Sequence, residues 1–242
     1  MKVAVISDIH GNLEAFTEVL ADIDRMEADS VVCLGDIIGY GPDPEEVVRL
    51  LRSREIPSVM GNHELALASS DFLDWFNEVA RESLALSEGL ISADNLEWLR
   101  RLKATLVLKD ALFVHGCPPD SISEYIFEKD DEEFEAIFRK MKNRICFVGH
   151  THTLEAVSWS GSAVMHHTLG EGLFELESHS KYIISVGSVG QPRDGYNNCA
   201  KYTLWDTRRK RLEIRFVTYE VSKTAEKIIG LGFPRINASR LW

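Results

Sequence analysis

The chain has 242 residues, which is long enough for one sizeable α/β domain with a buried core and barely long enough for two. Its formal net charge of −11 argues against broad binding to DNA or RNA, because such binding needs lysine and arginine surfaces that displace counterions. No apolar run approaches a membrane span, residues 1–20 lack the pattern of a signal peptide, and the cysteines are scattered, so we expect a cytoplasmic protein without membrane association.

The first part of the chain alternates predicted strands and helices. Short apolar runs at 3–7, 31–34 and 56–60 predict buried strands. Between them, Asn12 is suited to cap the start of one helix, and Asp43 precedes a proline that is typical of the first turn of another. This alternation predicts parallel strands joined by right-handed crossovers.

The remainder is predicted to hold a helical region and then mainly short strands before a last helix. No linker or internal repeat is visible, so one domain over residues 1–242, with two sheets packed face to face and helices outside, is the simplest interpretation. The predicted helical region is 64–103, the strands are 105–108, 111–114, 145–148, 163–166, 173–176, 182–186, 202–205 and 212–217, and the last helix is 224–231.

Five of the eight histidines lie in short clusters that also contain two aspartates and an asparagine, each following an apolar run. Because ligands collect beyond the carboxyl ends of parallel strands, these side chains are expected at one rim of the fold. Imidazole nitrogen with carboxylate and amide oxygen suits Mn, Fe or Zn better than Ca or Mg, so the clusters predict two bound divalent metal ions. The clusters are Asp8-Ile9-His10, Gly35-Asp36, Gly61-Asn62-His63-Glu64, His115-Gly116 and Gly149-His150-Thr151-His152.

Spacing within the clusters favours shared ligation. Asp8 and His10 are two residues apart, which places both side chains on the same side of an extended segment, and His150 and His152 repeat that spacing. Asp36 lies between two loop glycines that allow the backbone to approach a metal closely. A carboxylate at that position could bridge two ions.

The order of these motifs resembles the calcineurin-like metallophosphoesterase superfamily over residues 3–152. The resemblance implies a four-layer α-β-β-α sandwich of two mixed sheets flanked by helices, with the 64–103 region near the active site. It also implies that His63 is the catalytic histidine rather than a ligand. The implied ligands are Asp8, His10, Asp36 and His152 for one metal, and Asp36, Asn62, His115 and His150 for the other.

A dinuclear site of this kind implies a mechanism. Two cations, for which we expect Mn with Fe or Zn as alternatives, acidify a bridging water, and the resulting hydroxide attacks phosphorus. His63 would donate a proton to the leaving oxygen, a role suited to a pKa near neutrality. The partner would be a small phosphorylated substrate, which could be a nucleotide, and a homo-oligomer is compatible with the sequence.

The chain departs from the best-known relatives at two motifs. Protein phosphatases and symmetrical diadenosine tetraphosphatases of this superfamily read Gly-Asp-x-x-Asp-Arg-Gly and Arg-Gly-Asn-His. Here Gly39 and Tyr40 replace the second aspartate and the arginine of the first motif, and Met60 replaces the arginine of the second. Neutral side chains cannot replace arginine clamps on phosphate, and the missing aspartate would have partnered the catalytic histidine. Phosphoprotein phosphatase activity is therefore disfavoured.

The loop at 39–42 and the stretch at 187–193 resemble the smaller bacterial and archaeal phosphodiesterase-type branch. Gln191 and Arg193 are therefore candidates for substrate contacts, and backbone amides of this glycine-rich stretch could face a phosphate. A turn packed under His152 is the competing interpretation. Tyr40 could stack on a base, although an exposed loop tyrosine is the plainer interpretation.

Three functions compete. The first is a dinuclear-metal phosphoesterase that prefers small phosphodiesters to monoesters. The second is a hydrolase of dinucleoside polyphosphates, such as diadenosine tetraphosphate, or of nucleotide pyrophosphates. The third is a non-catalytic protein-binding scaffold, as in the retromer subunit that resembles these enzymes, and it is disfavoured because every predicted ligand and His63 are present.

Overall fold

A computed structural model describes residues 1–195 and 198–242. Within these ranges no helix is long and apolar enough to cross a membrane. The strands are β1 Lys2–Ile6, β2 Ser30–Cys33, β3 Thr105–Leu108, β4 Ala111–Val114, β5 Ile145–Val148, β6 Leu154–Trp159, β7 Val164–Thr168, β8 Gly172–Glu175, β9 Lys181–Val186, β10 Cys199–Asp206 and β11 Arg211–Thr218. The helices are α1 Leu13–Arg25, α2 Pro44–Ser53, α3 Asn62–Ala68, α4 Glu78–Gly89, α5 Ala93–Arg100, α6 Asp131–Lys140, α7 Val221–Gly230 and α8 Arg235–Ser239. Short 3₁₀ helices occupy Ser70–Trp75 and Ile126–Glu128.

The strands form two mixed sheets. The first has the order β2-β1-β10-β11-β8, and the second has the order β3-β4-β5-β9-β6-β7. Strands β1 and β2 are parallel neighbours in the first sheet, and β4, β5 and β9 run parallel in the second. Each sheet therefore presents the carboxyl ends of adjacent parallel strands, which is where polar ligands are expected.

Alternating side chains of the central strands bury both faces of each sheet. In β1, Val3 and Val5 belong to the core between the sheets, whereas Ala4 and Ile6 pack in the core on the outer side. In β5, Phe147 lies between the sheets and Cys146 lies on the outer side. Apolar residues on both faces of a strand explain why these segments read as continuous hydrophobic runs.

Helices cover the two outer faces. Phe16 and Val19 of α1 and Val47 of α2 pack in the outer core of the first sheet. Phe134 and Phe138 of α6 pack against the outer face of the second sheet. The result is the four-layer α-β-β-α sandwich of two mixed sheets that the sequence predicts, and the prediction is confirmed.

Three predicted elements differ from the structure. The segment 56–60 forms only isolated bridges, from Ser58 to Cys33 and from Val59 to Lys103, so it is not a strand. The helical region 64–103 is divided into α3, a 3₁₀ helix, α4 and α5, with non-helical residues between them. The chain does not end on the predicted helix, because α8 follows α7.

Candidate metal centre and active site

The histidine and carboxylate clusters meet where parallel strands of the two sheets end. Asp8 and His10 follow β1, and Asp36 follows β2 in the first sheet. His115 follows β4, and His150 follows β5 in the second sheet. Chain segments that are distant in sequence therefore bring their polar side chains to one rim of the sandwich.

These side chains form two groups that share one carboxylate. In each group, the atoms able to bind a metal ion all lie within 4.8 Å of one another, and every residue is buried. Asn62 lies beside the second group, since its Oδ1 is 3.1 Å from Nε2 of His115. The first group is Asp8, His10, Asp36 and His152, and the second is Asp36, His115 and His150.

Backbone carbonyls orient the histidine rings. The Nδ1 atoms of His10, His115 and His152 donate to the carbonyl oxygens of Ile38, Leu34 and Gln191, at 2.9, 2.7 and 2.6 Å. A proton held on Nδ1 leaves Nε2 available as a metal ligand. His150 has the reverse arrangement, because its Nε2 donates to the carbonyl of Ser123 at 3.1 Å.

The donors in this cluster fit divalent cations. Oδ1 of Asp8 is buried and has no hydrogen-bond partner among the described residues. The Nε2 atoms of His10 and His152, both left without a proton by the carbonyl contacts, face each other at 3.2 Å. Facing lone pairs and an unpaired buried carboxylate oxygen are unfavourable unless a proton or a cation lies between them. The residues therefore suit the divalent metals that the sequence predicts.

The pKa values of residues in the cluster also favour bound divalent cations. Burial raises the pKa of Asp8 to about 7, since nothing fully compensates the desolvated carboxylate. Burial lowers the pKa of His115, but the adjacent carboxylate of Asp36 outweighs it and raises the pKa to about 9. Nε2 of His115 lies 3.3 Å from Oδ2 of Asp36. Divalent cations would supply the positive charge that these carboxylates otherwise obtain from protons.

Several clustered residues have left-handed backbone conformations. Such a conformation costs on the order of 1 kcal/mol or more for a residue other than glycine, and it persists where surrounding contacts enforce it. The Asp8 amide donates to the carbonyl of Gly35 at 3.0 Å, and the His10 amide donates to that of Asp36 at 2.9 Å. The extended geometry predicted for residues 8–10 is therefore wrong. The φ values are 54° for Asp8, 49° for His10, 49° for Asp36, 66° for His150 and 59° for His152.

Gly35 allows two segments of the site to approach each other closely. A Cβ added to Gly35, whose φ is +91°, would lie 2.4 Å from the backbone nitrogen of Gly61. The loop that carries Asp36 therefore packs directly on Gly61, which precedes Asn62 at the start of α3.

Glu64 is a positioning residue that the sequence did not reveal. Its carboxylate is fully buried and accepts hydrogen bonds from the amides of Asp36, Ile37 and Gly61, each at 2.9 Å. The side chain thereby fixes the loop that carries the shared carboxylate. Its position in the Gly61-Asn62-His63-Glu64 motif is visible in the sequence, but its partners lie up to 28 residues away.

His63 lies at the edge of the cluster. Its Nε2 is 4.0 Å from Oδ2 of Asp36, and its buried Nδ1 has no hydrogen-bond partner among the described residues. Burial lowers the pKa of His63 to about 4, although the carboxylate of Asp36 acts to raise it. Gly39 packs against the ring, and a Cβ added there would lie 2.2 Å from Nδ1. Glycine at position 39 therefore makes room for His63.

Tyr40 is buried against the cluster, so the exposed loop tyrosine favoured by the sequence is wrong. Its side chain is 8% exposed, and its ring meets the rings of His10 and His63 edge-on at 4.7 and 4.9 Å. Asn237 of α8 donates to the backbone carbonyl of Tyr40 at 3.1 Å. The C-terminal helices therefore support the loop that carries Tyr40.

The stretch at 187–193 packs under His152. The carbonyl of Gln191 accepts from His152, and the Arg193 amide donates to the carbonyl of His152 at 3.1 Å. The amides of Val189 and Gly190 donate to the carbonyls of residues 7 and 8, so they are not free to bind a phosphate as the sequence suggested. The Arg193 guanidinium is accessible, lies 6.0 Å from the centre of the Tyr40 ring, and donates to Oε1 of Gln191 at 3.2 Å.

The fold and the site together define a metallophosphoesterase. The chain belongs to the calcineurin-like phosphoesterase family, whose model matches residues 1–154. That match includes every clustered histidine and carboxylate described above. The protein is therefore a phosphoesterase of a family that uses divalent metals.

Similarity beyond this region extends over the whole chain. An uncharacterized protein of Methanocaldococcus jannaschii is 36% identical over 245 residues, which cover 99% of this chain and 97% of that protein. The crystal structure of a metallophosphoesterase from Sphaerobacter thermophilus superposes with a TM-score of 0.84 at 35% identity and covers 100% of this chain and 98% of that one. A symmetrical bis(5'-nucleosyl)-tetraphosphatase of Buchnera aphidicola is 31% identical over 112 residues, or 45% of this chain and 40% of that protein.

Proposed function

We propose that the protein hydrolyses small phosphate esters, with diesters preferred, at a centre of two divalent metal ions. The observation that carries the proposal is the sharing of Asp36 by two groups of buried ligand atoms. In this proposal Asp8, His10, Asp36 and His152 bind one ion. Asp36, Asn62, His115 and His150 bind the other, and Mn is the expected metal because the donor set mixes nitrogen and oxygen.

Residues around the proposed ligands hold them in the orientation that metal binding requires. When bound, two divalent ions supply positive charge for the phosphoryl oxygens and lower the pKa of the attacking water. The carbonyls of Leu34, Ile38 and Gln191 hold three histidine rings in the tautomer that a ligand requires. Glu64 holds the loop of Asp36 in place.

We assign His63 as the proton donor to the leaving oxygen. The ring is neutral at pH 7 in the free protein, since burial lowers its pKa to about 4. An anionic phosphate beside the ring favours the protonated imidazolium, so substrate binding is expected to raise this pKa. The contact with Asp36 and the unpartnered Nδ1 support the assignment.

The charges around the site support a preference for diesters. The charge of Arg193 lowers the pKa values of Asp8, His10, His63 and His152, which shows that this guanidinium acts on the site. A monoester dianion gains most from additional arginine clamps, whereas a diester carries a single negative charge. With no arginine at positions 40 and 60, the site is better matched to the singly charged ester.

The second candidate is hydrolysis of dinucleoside polyphosphates. The partial similarity to a symmetrical bis(5'-nucleosyl)-tetraphosphatase favours it. The shortage of cationic side chains argues against it, because a chain of four phosphates carries several negative charges.

A substrate panel on metal-loaded protein separates the two candidates. We expect Mn²⁺ to restore hydrolysis to chelator-treated protein, with bis-p-nitrophenyl phosphate cleaved faster than p-nitrophenyl phosphate or diadenosine tetraphosphate. A preference for diadenosine tetraphosphate by orders of magnitude would reverse the ranking. Absence of both bound metal and hydrolysis would favour a scaffold instead.

The role of His63 is tested by His63→Ala. We expect this variant to retain two metal ions per chain and to lose about 10²-fold to 10⁴-fold in turnover, the range typical of a lost general acid. His166→Ala is the matched control, because that exposed imidazole pairs with Asp131 and not with the cluster. Near-normal turnover with normal metal content in His63→Ala would remove the assignment.

A further inference from the structure

Aromatic rings from two separate segments line a cleft beside the second ligand group. Phe72 and Trp75 come from the 3₁₀ helix Ser70–Trp75, and Phe76 follows it directly. Tyr125 comes from the loop before α6. Asn62 and His150, two of the proposed ligands, line the same cleft.

The inner rings of the cleft contact residues of the site. The Tyr125 ring stacks on the His150 ring, with centroids 3.9 Å apart and planes 15° apart. The Phe76 ring lies 4.8 Å from the His63 ring. The cleft is therefore continuous with the place where a phosphate would bind.

The outer rings extend the aromatic surface away from the site. Phe72 and Trp75 contact each other, with centroids 6.3 Å apart, and among the described residues neither ring contacts a histidine ring. Trp75 is 76% exposed, so it contributes little to the core. A large apolar ring left in water next to a reactive site is typical of a binding surface.

Among the described residues, the side chains that line the cleft bring no lysine or arginine charge to it. An uncharged planar group fits this lining better than a phosphate chain does. Aromatic side chains stack on such groups with little dependence on their identity.

We infer that the cleft is a base-stacking subsite, in which Trp75 and Phe72 receive the nucleobase of a nucleotide ester whose phosphate lies at the paired ligand groups. A ring joined to phosphorus through one ester oxygen stays near the inner rings, whereas a base separated from phosphorus by a ribose extends further toward the outer pair. The inference rests on the proposed function, because that function locates the phosphate. It narrows the substrate class from small phosphoesters to nucleotide esters.

Calorimetry on Mn-loaded protein, completed before the monoester probes are appreciably hydrolysed, tests the subsite through binding. The probes are adenosine 5'-monophosphate, ribose 5-phosphate and phenyl phosphate. We expect the adenosine nucleotide to bind on the order of tenfold or more tightly than ribose 5-phosphate, the gain of one stacked base. Phenyl phosphate is expected to bind no more tightly than ribose 5-phosphate.

Substitutions of Trp75 test whether the outer rings cause the higher affinity for the adenosine nucleotide. Trp75→Ala should remove most of the advantage of the adenosine nucleotide, and Trp75→Phe should keep most of it because a ring remains. Trp242→Ala is the matched control, since Trp242 is also an exposed tryptophan, at 66%, but does not line the cleft. This control should bind all three probes as the unaltered protein does.

The outcomes separate the subsite from the proposed function. Equal affinities for the adenosine nucleotide and ribose 5-phosphate, or an undiminished advantage in Trp75→Ala, would overturn the subsite. Phenyl phosphate binding as tightly as the nucleotide would mean that the cleft holds the aromatic group of an aryl ester instead of a nucleobase, and it too would overturn the subsite. If the same preparation hydrolyses bis-p-nitrophenyl phosphate, these failures leave the proposed function intact. Absence of bound metal and of hydrolysis overturns both.

Discussion

Glu64 accepts a hydrogen bond from the backbone amide of Asp36 at 2.9 Å, although 28 residues separate them. The same carboxylate accepts the amides of Ile37 and Gly61, so it joins the two loops that approach the paired ligand groups. The carboxylate of Asp36 in turn accepts the amide of His63 at 3.0 Å. One buried side chain thus positions the proposed bridging ligand, and that ligand helps to position the proposed proton donor.

Replacing Glu64 by glutamine should loosen this arrangement. The amide group of glutamine offers one acceptor oxygen in place of two, so at least one backbone amide loses its partner. We expect metal affinity to fall by about 10-fold to 100-fold and the free energy of unfolding to fall by about 1–3 kcal/mol. Metal titration and urea unfolding measure the two effects. Glu18→Gln on the exposed side of α1 is the control, and equal behaviour of the two variants would contradict the role of Glu64.

The sharing of Asp36 predicts a difference between single substitutions. Asp36→Asn removes charge from both groups, so both ions should bind more weakly, whereas His10→Ala removes a ligand from the first group alone. Metal analysis after dialysis should find fewer than one ion per chain in Asp36→Asn and close to one in His10→Ala. Retention of two ions by Asp36→Asn would show that the groups do not depend on this carboxylate.

Local sequence patterns predict those parts of the fold that depend on local burial. The runs that became β1, β2 and β5 are apolar on both faces, so their length and composition identify them. The segment 56–60 has a similar composition but makes one bridge to Cys33 and another to Lys103. Composition does not reveal that a run will divide its pairing between two partners.

Clustering of the predicted ligands follows from a rule about parallel strands, so it could be predicted without a structure. The burial of Tyr40 could not, because the contacts of its loop include Asn237 of α8, which is 197 residues further along the chain. The aromatic cleft could not be predicted either, since it joins Tyr125 to Phe72 and Trp75, which lie in a distant segment of the chain. In both cases the deciding contact joins residues with no common local pattern.

The packing of Gly39 on His63 predicts that an aspartate cannot be restored at this position without cost. Gly39 has a φ of +85°, and any Cβ there would meet the imidazole at 2.2 Å. Gly39→Asp and Gly39→Ala should both displace the ring and lower turnover by on the order of 10²-fold, since displacement of a reacting group by about 1 Å costs that much. Metal content should remain normal.

Gly89→Ala provides the control for these glycine variants. A Cβ at this position, the last residue of α4, meets no atom within 4 Å. Turnover of Gly89→Ala should equal that of the unaltered protein, as measured on bis-p-nitrophenyl phosphate. Normal turnover in Gly39→Ala would mean that His63 tolerates displacement or takes no part in the reaction.

The contacts of Asp22, which lies outside the metal centre, predict that the free energy of unfolding depends on pH. Its buried carboxylate accepts two hydrogen bonds from Arg215, both at 3.0 Å, and one from the Tyr202 hydroxyl at 2.8 Å. Burial raises the pKa of Asp22, but these contacts outweigh it and hold the pKa below its ordinary value. Because the pKa is lower in the folded protein than in the unfolded chain, the stabilisation is fully present above the unfolded pKa. It is lost as the pH falls through the folded pKa.

Asp22→Asn should therefore destabilise the protein most at neutral pH. We expect a loss of about 2–4 kcal/mol in the free energy of unfolding at pH 7, because Arg215 loses a charged and largely buried partner. The difference from the unaltered protein should shrink below about pH 4, where the Asp22 carboxylate becomes protonated first in the unfolded chain and, at lower pH, in the folded protein. Urea unfolding at pH 7 and near pH 3 measures this change. Asp24→Asn, which breaks an exposed pair with Arg54, should cost no more than about 1 kcal/mol at either pH. A loss in Asp22→Asn that is as large near pH 3 as at pH 7 would mean that packing, rather than the ionised carboxylate, gives Asp22 its effect.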